Sequence, residues 1–364
     1  MCSIELDGEM LRLLVVLLAL AAPTCSLRMA AGAKKSKAKK GPAVRKSGGG
    51  FGAKPKSATI PVGRRLEEPQ YEALYAWLGE ASADLGKVAV ADFDGLRGVM
   101  ATEDIAKGET IVSIPGPCAV DLGTNHFDPV GPAQRLLDAM ERDASTRAAY
   151  WATLPPADSP DLCTPDFFSE SELELLQWPP LVASVNQKSA ALRKALGDDA
   201  DADALRRLRW ATWLVLSRVL TVRGPDNAGH KLMIPFVDMF NHKAGVKHYL
   251  SGRTDGQLKV VAGEAVAAGE QVFIVYGTET TSAAELLAHY GFVAPGTAAA
   301  DRQLVMAHAD AIPALRATTA QDDAARLAAD PPPPLKEELA LRFRVALKRA
   351  RDACVATGLL EEGA

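Results

Sequence analysis

Two stretches hold the side chains with the most chemical capacity. Leu232 to His242 reads L-M-I-P-F-V-D-M-F-N-H, and Glu270 to Val293 reads E-Q-V-F-I-V-Y-G-T-E-T-T-S-A-A-E-L-L-A-H-Y-G-F-V. The first supplies a carboxylate (Asp238), an amide with donors and an acceptor (Asn241) and an imidazole (His242). The second supplies two phenols, Tyr276 and Tyr290, and the ring of Phe292. Such groups can hold and steer a polar ligand, and no carboxylate among them is an obvious general base. Taken singly, each has an ordinary reading. His242 would be a satisfied core histidine, Tyr276 a packed aromatic at a strand end, and Arg218, in S-R-V-L, a solvated helix charge.

Composition narrows the setting. With 364 residues, 48% hydrophobic and 24% charged, the chain has ample material for a globular core. Its charge is unevenly spread: residues 10–65 hold thirteen Lys or Arg and no Asp or Glu, leaving 28 basic against 42 acidic residues in 66–364. The body is therefore acidic, which argues against nucleic acid as a partner, since phosphate contacts draw on Lys and Arg. Cys2, Cys25, Cys118, Cys163 and Cys354 are scattered, with no C-x-x-C pair, so neither a disulfide framework nor a zinc cluster is expected.

The elements that must position the two stretches follow from pattern. Tyr71, Leu74, Trp77 and Leu78 predict an amphipathic first helix, and Val88 to Phe93 and Thr110 to Ile114 read as strands around Gly95-Leu96-Arg97-Gly98. From about Phe127 the pattern turns helical. Gln134 to Met140 is amphipathic, Ser169 with Glu172 forms a capping box, and Leu205 to Val222 reads as the strongest helix, with Trp210 and Trp213 as core. Asp255-Gly256 predicts a hairpin turn, Gln271 to Tyr276 a strand, and Ser282 to Tyr290 a short helix. Beyond Asp301 the chain is Ala-rich and helical, broken by Pro331 to Pro334, and ends in a helix from Leu335 to about Val355.

The two stretches, with G-L-R-G-V-M-A-T-E-D-I-A-K-G-E-T-I-V-S-I-P upstream and W-A-T-L-P at Trp151 to Pro155, resemble the signature of SET-domain methyltransferases. The branch is the one that includes plant Rubisco large-subunit lysine methyltransferase and the actin-specific histidine methyltransferase. The resemblance implies an α+β architecture: short β-sheets with a C-terminal pseudoknot over 66–300, a helical insertion at about 124–230, and a short helical region, 301–364, in place of a longer substrate-binding domain. It implies S-adenosyl-L-methionine as cofactor, held by Gly95, Leu96, Arg97, Gly98, Arg218, Asp238, Asn241, His242 and Phe292. Tyr276 would be the catalytic phenol and Tyr290 a second tyrosine lining an amine channel; no metal is implied. Histidine-directed relatives replace the equivalent of Tyr290, so its presence favours lysine as the acceptor. Two departures stand out: relatives show G-x-G where this chain has Leu96-Arg97-Gly98, and Y-G-x-x-S-N-A-E-L where it has Y-G-T-E-T-T-S-A-A-E-L, two residues longer with Ala283 for Asn.

The leading expectation is a protein-lysine N-methyltransferase acting on a non-histone protein such as Rubisco large subunit or aldolase. Histidine methylation and a non-catalytic SET-fold binding module stay open. Residues 1–65 read as a targeting presequence and basic linker: Met10-Leu11-Arg12, an apolar run from Leu13 to Ala22, then K-K-S-K-A-K-K at Lys34 to Lys40. A signal-like leader followed by a basic, acid-free tract suits a plastid inside extra membranes; secretion and nuclear import are the alternatives. The mature protein is expected to be monomeric, without a membrane anchor.

Overall fold

The computed structural model describes residues 62–361, apart from 125–127, 129, 160–161, 198–200, 225–226, 252–255 and 279. The leader and most of the basic linker, and the Asp255 side of the expected hairpin turn, lie outside the described residues. Strand β1 (Arg64–Arg65) leads into helix α1 (Pro69–Glu80), opened by Pro69 at its first position. Tyr71, Leu74 and Leu78 bury one face of α1, and the Tyr75 hydroxyl accepts the Val90 amide at 2.8 Å, fixing the helix to the sheet. β2 (Val88–Phe93) and β3 (Leu96–Ala101) form a hairpin whose two-residue turn, Asp94-Gly95, has positive φ at both positions (54° and 89°). That is the turn whose twist suits a two-residue connection. The sequence places a glycine-containing loop over Gly95 to Gly98; instead Leu96, Arg97 and Gly98 already belong to β3.

β4 (Thr110–Pro115) and β5 (Val120–Asp121) precede the helical insertion, made of α2 (Val130–Arg142), α3 (Ala148–Trp151), α4 (Glu170–Glu174), α5 (Pro179–Leu196) and α6 (Ala202–Arg218). The predicted capping box on α4 is present: the Ser169 hydroxyl accepts the Glu172 amide while the Glu172 carboxylate accepts the Ser169 amide. α6 is shorter than its apolar stripe suggests. It ends at Arg218, and Val219–Arg223 become β6 because they pair antiparallel with β7 (Gly229–Met233). β-branched Val219, Thr221 and Val222 suit that sheet better than a last helical turn.

β8 (Asn241–His242), β9 (Tyr249–Ser251), β10 (Gln257–Val261) and β11 (Gln271–Ile274) follow, then α7 (Ala283–Tyr290), α8 (Ala298–Ala307), α9 (Ile312–Leu315), α10 (Ala320–Leu327) and α11 (Leu335–Ala356). The strands make three sheets, ordered β1-β2-β3-β11-β8, β4-β10-β9 and β5-β7-β6. β11 is the pivot. It pairs antiparallel with β3 on one edge and parallel with β8 on the other, Phe273 opposite Asn241 and Ile274 opposite His242. A parallel pair cannot be joined by a tight turn, so the chain detours through β9 and β10 in another sheet before returning.

Two apolar cores result. The larger joins α1, the sheets and α6, with Trp210, Trp213, Phe236 and Phe240 inside it. The smaller joins α4, α5, α7 and the C-terminal helices around Trp178, Leu287, Phe343 and Leu347. α8 and α10 pack against α11, which also touches α7. Among the described residues no helix is long and apolar enough to cross a membrane, and no group of three or more His, Cys, Asp or Glu is arranged to hold a metal.

Candidate active site

The site grows out of residues 234–242. Ile234, Phe236, Val237, Met239 and Phe240 are buried, which forces the backbone between them through the core. A 3-10 turn, Val237–Met239, is preceded by Phe236 at φ 69°, ψ −42°. A non-glycine residue there is strained by about 1–3 kcal/mol and persists only where packing over-determines it; here the Phe236 and Phe240 rings meet edge to face at 6.1 Å. The turn delivers Asp238 to the interior and releases Asn241 and His242 into β8.

Asn241 is fixed by its amide Nδ2, which donates to the Arg97 carbonyl at 2.7 Å. Gly98 makes that approach possible, because a Cβ there would lie 2.0 Å from Gln271 Nε2 and 3.0 Å from Asn241 Nδ2. His242 accepts the Tyr276 amide at Nδ1, 2.9 Å away, so a neutral ring carries its proton on Nε2. Burial lowers the His242 pKa, which keeps the ring neutral.

β11 ends at Ile274, two residues before Tyr276, so this tyrosine sits just beyond the strand rather than within it. Its hydroxyl donates to the Phe240 carbonyl at 2.6 Å. Three rings gather around it. The Tyr276 and Tyr290 centroids are 4.5 Å apart, His242 is 5.4 Å and Phe292 6.3 Å from Tyr276, and Phe292 lies 5.9 Å from His242. α7 aims Tyr290 and Phe292: Ser282 and Glu285 form a capping box at its start, and Gly291, left-handed at φ 75°, turns the chain at its end. The Asp301 carboxylate accepts the Ala283 amide at 2.7 Å, tying this start to α8.

Behind the rings lies a buried polar network. The Asp238 side chain is fully buried, and its Oδ2 accepts from the Tyr150 hydroxyl at 3.0 Å and from Arg218 Nη1 at 3.3 Å. Arg218 Nη1 also reaches the Asp238 carbonyl at 3.2 Å. Burial, with the Asp238 charge second, holds the Tyr150 phenol well above its ordinary pKa, so it stays a donor. Burial lowers the Arg97 pKa, as does neighbouring Arg218, while Asp238 raises it. Three buried polar atoms here have no partner among the described residues: Asp238 Oδ1, Arg218 Nε and Gln271 Nε2.

The structure thus brings together Arg97, Gly98, Arg218, Asp238, Asn241, His242, Tyr276, Tyr290 and Phe292. It leaves Gly95 and Leu96 at the hairpin tip, where nothing lies within 4 Å of a Cβ on Gly95 and Leu96 is 56% exposed. Tyr150, Gln271 and the Phe240 carbonyl join the site without having been picked out as site residues in the sequence. Tyr150 carried a signal, its place beside the W-A-T-L-P run, but nothing local tied it to Asp238.

Comparison with known proteins bears on the family and the fold. The SET domain profile matches residues 96–277, from the start of β3 to the residue after Tyr276. An actin-histidine N-methyltransferase of Drosophila melanogaster is 25% identical over 268 residues, covering 62% of this chain and 49% of its own length. The Homo sapiens protein of that name is 26% identical over 255 residues, covering 62% and 42%. The match therefore spans less than half of these curated relatives. Among solved structures, Rubisco LSMT bound to AdoMet superposes with a TM-score of 0.61 at 16% identity, over 80% of this chain and 91% of that one. The SET domain of LSMT bound to lysine and AdoHcy gives 0.61 at 17%, over 79% and 90%. These likenesses are of fold, whereas the profile spans half of the sequence, pivot strand, His242 and Tyr276 included: the chain belongs to the SET domain family.

Proposed function

We propose that the protein is an S-adenosylmethionine-dependent protein N-methyltransferase whose acceptor is a lysine side chain. The observation that carries this reading is the ring cluster, with Tyr276 and Tyr290 4.5 Å apart and Phe292 and neutral His242 beside them. A sulfonium cation is favoured against aromatic faces, and none of these four rings carries a formal charge to repel it. Arg218 Nε, buried and without a partner, offers a donor to a carboxylate. The residues present therefore fit this cofactor.

When bound, the cofactor supplies an electrophilic methyl group for in-line displacement; alignment and amine deprotonation remain for the chain. A lysine stem needs only a narrow apolar slot, which in this reading the rings of Tyr276, Tyr290 and Phe292 would border. Desolvation in that slot lowers an amine pKa and favours its neutral, nucleophilic form. The Tyr276 hydroxyl, its proton committed to the Phe240 carbonyl, turns oxygen lone pairs to the slot, where they steer the amine and offset developing positive charge.

The test is transfer of labelled methyl from S-adenosylmethionine to proteins of a cell extract, followed by mass spectrometry of the modified residue. Methyl-lysine is expected. Methyl-histidine would establish the second reading, which the named relatives favour; cofactor binding without turnover would leave a binding module. We place the substrate in a plastid, as the composition of residues 10–65 suggests. A reporter fused to those residues that lights the nucleus or the medium would overturn that placement. The protein acts as a monomer in this reading.

A further inference from the structure

We infer that Tyr150 is a positioning residue for cofactor binding, acting through Asp238 on Arg218; this rests on the methyltransferase reading above. Tyr150 comes from α3 in the helical insertion, 88 residues before Asp238, and is fully buried. Its ring packs on Trp151 at 5.1 Å, a contact that phenylalanine would keep. What phenylalanine would lose is the hydroxyl, which donates to Asp238 Oδ2.

That hydroxyl matters because Asp238 is a buried charge with few donors. Oδ2 has Tyr150 and Arg218, and Oδ1 has none. A carboxylate in such surroundings that loses one donor recruits another. The adjacent donors are the other nitrogens of Arg218: Nη1 alone serves Asp238, and Nε is buried and without a partner among the described residues. With Tyr150 in place, the guanidinium is pinned by one nitrogen and keeps its Nε for a ligand carboxylate. Without it, the guanidinium turns onto Asp238 and that donor is spent. The hydroxyl thus sets the pose of an arginine that it does not touch.

The consequence is selective. Only a ligand that carries the amino-acid end of the cofactor should sense the change. Titrating the full chain with S-adenosylhomocysteine and with 5′-methylthioadenosine, which lacks that end, reads this directly. Tyr150→Phe is expected to raise the Kd for S-adenosylhomocysteine about tenfold, the scale of one hydrogen bond to a charged group, and to leave that for 5′-methylthioadenosine within twofold. Arg218→Lys is expected to show the same pattern, and adding Tyr150→Phe to it should bring no further loss. Equal weakening of both ligands, no weakening of either, an undiminished tenfold loss in the Arg218→Lys background, or a Tyr150→Phe chain that does not fold would each overturn the assignment. A wild-type chain that binds S-adenosylhomocysteine yet transfers no methyl group ends the catalytic reading while leaving the Tyr150 assignment intact in these titrations. A wild-type chain that binds neither compound ends both.

Discussion

Among the described residues two buried aspartates, Asp323 and Asp238, face cations, and they are finished differently. Asp323, on α10, accepts from Arg344 at both oxygens, from Lys348 at 2.7 Å and from Thr318 at 2.8 Å. Arg344 goes on to the Leu175 carbonyl at 2.9 Å. Asp238, under the ring cluster, uses one oxygen and leaves the other, together with Arg218 Nε, unpartnered. The first network is closed on itself and ties the C-terminal helices to the insertion. The second holds capacity in reserve. A buried polar group left unsatisfied costs free energy, so the reserve is tolerable where a ligand completes it, and the contrast separates a lock from a site.

The sharpest way to break this comparison is to open the lock. Asp323→Ala leaves Arg344 and Lys348 buried without their counter-charge, and breaking such a pair costs about 3–5 kcal/mol. Denaturant unfolding should show that loss, while methyl transfer per folded molecule stays near wild type. Tyr276→Phe should do the converse: removing the hydroxyl is expected to lower methyl transfer roughly 10²- to 10³-fold, the scale for a lost transition-state hydrogen-bonding group. The melting temperature should move little. A Tyr276→Phe enzyme at full rate would remove this phenol from the chemistry.

What the sequence made legible was local. The capping box at Ser169, the short helix that runs to Tyr290 and the first helix around Tyr71 to Leu78 depend on residues within a few positions, and each stands where short-range chemistry puts it. The ring cluster was legible through the motif that resemblance supplied. The rest needed distant partners. α6 gives way to β6 at Val219 because β7 waits to pair with it, which no helical stripe announces. Tyr150 meets Asp238 across 88 positions, so the link exists only once the insertion has folded back. Gly98 read as loop because it closes the run Gly95-Leu96-Arg97-Gly98; its place in β3, against Asn241 and Gln271, follows from β11 inserting beside it.

Gly98 also sharpens the distinction on a smaller scale. An added methyl would meet Gln271 Nε2 at 2.0 Å and Asn241 Nδ2 at 3.0 Å. The first is the unpartnered end of a flexible side chain and can move; the second is held by the Arg97 carbonyl. Gly98→Ala should therefore cost about 1–3 kcal/mol, the range for overpacking a filled interior, and should weaken binding of S-adenosylhomocysteine. Adding Gln271→Ala should recover the stability but not the binding, since Asn241 remains displaced. Recovery of both would place Gln271 alone in the conflict.

Acid titration should distinguish the two regions with the smallest effect. His289, buried beside Tyr290 on α7, has its pKa lowered by burial and then by Lys188, to about 3. As pH falls, the unfolded chain binds this proton first, near 6.5, so stability is lost from about pH 6.5 down to about 3. Between pH 7 and pH 6 that amounts to about 0.7 kcal/mol. Burial raises the pKa of Glu285 and Asp301, so the native state binds their protons first and gains stability as pH falls through those values. The comparison is therefore between wild type and His289→Gln, whose difference isolates the histidine. Asp323 behaves otherwise: burial raises its pKa, but hydrogen bonds from Arg344, Lys348 and Thr318 outweigh that and leave it lowered. Its contribution is present above the unfolded value and lost only below about pH 4. The site half should soften first on mild acidification and the C-terminal lock later, with His289→Gln flattening the earlier phase alone; an unchanged slope between pH 7 and 6 in that variant would remove His289 as its source.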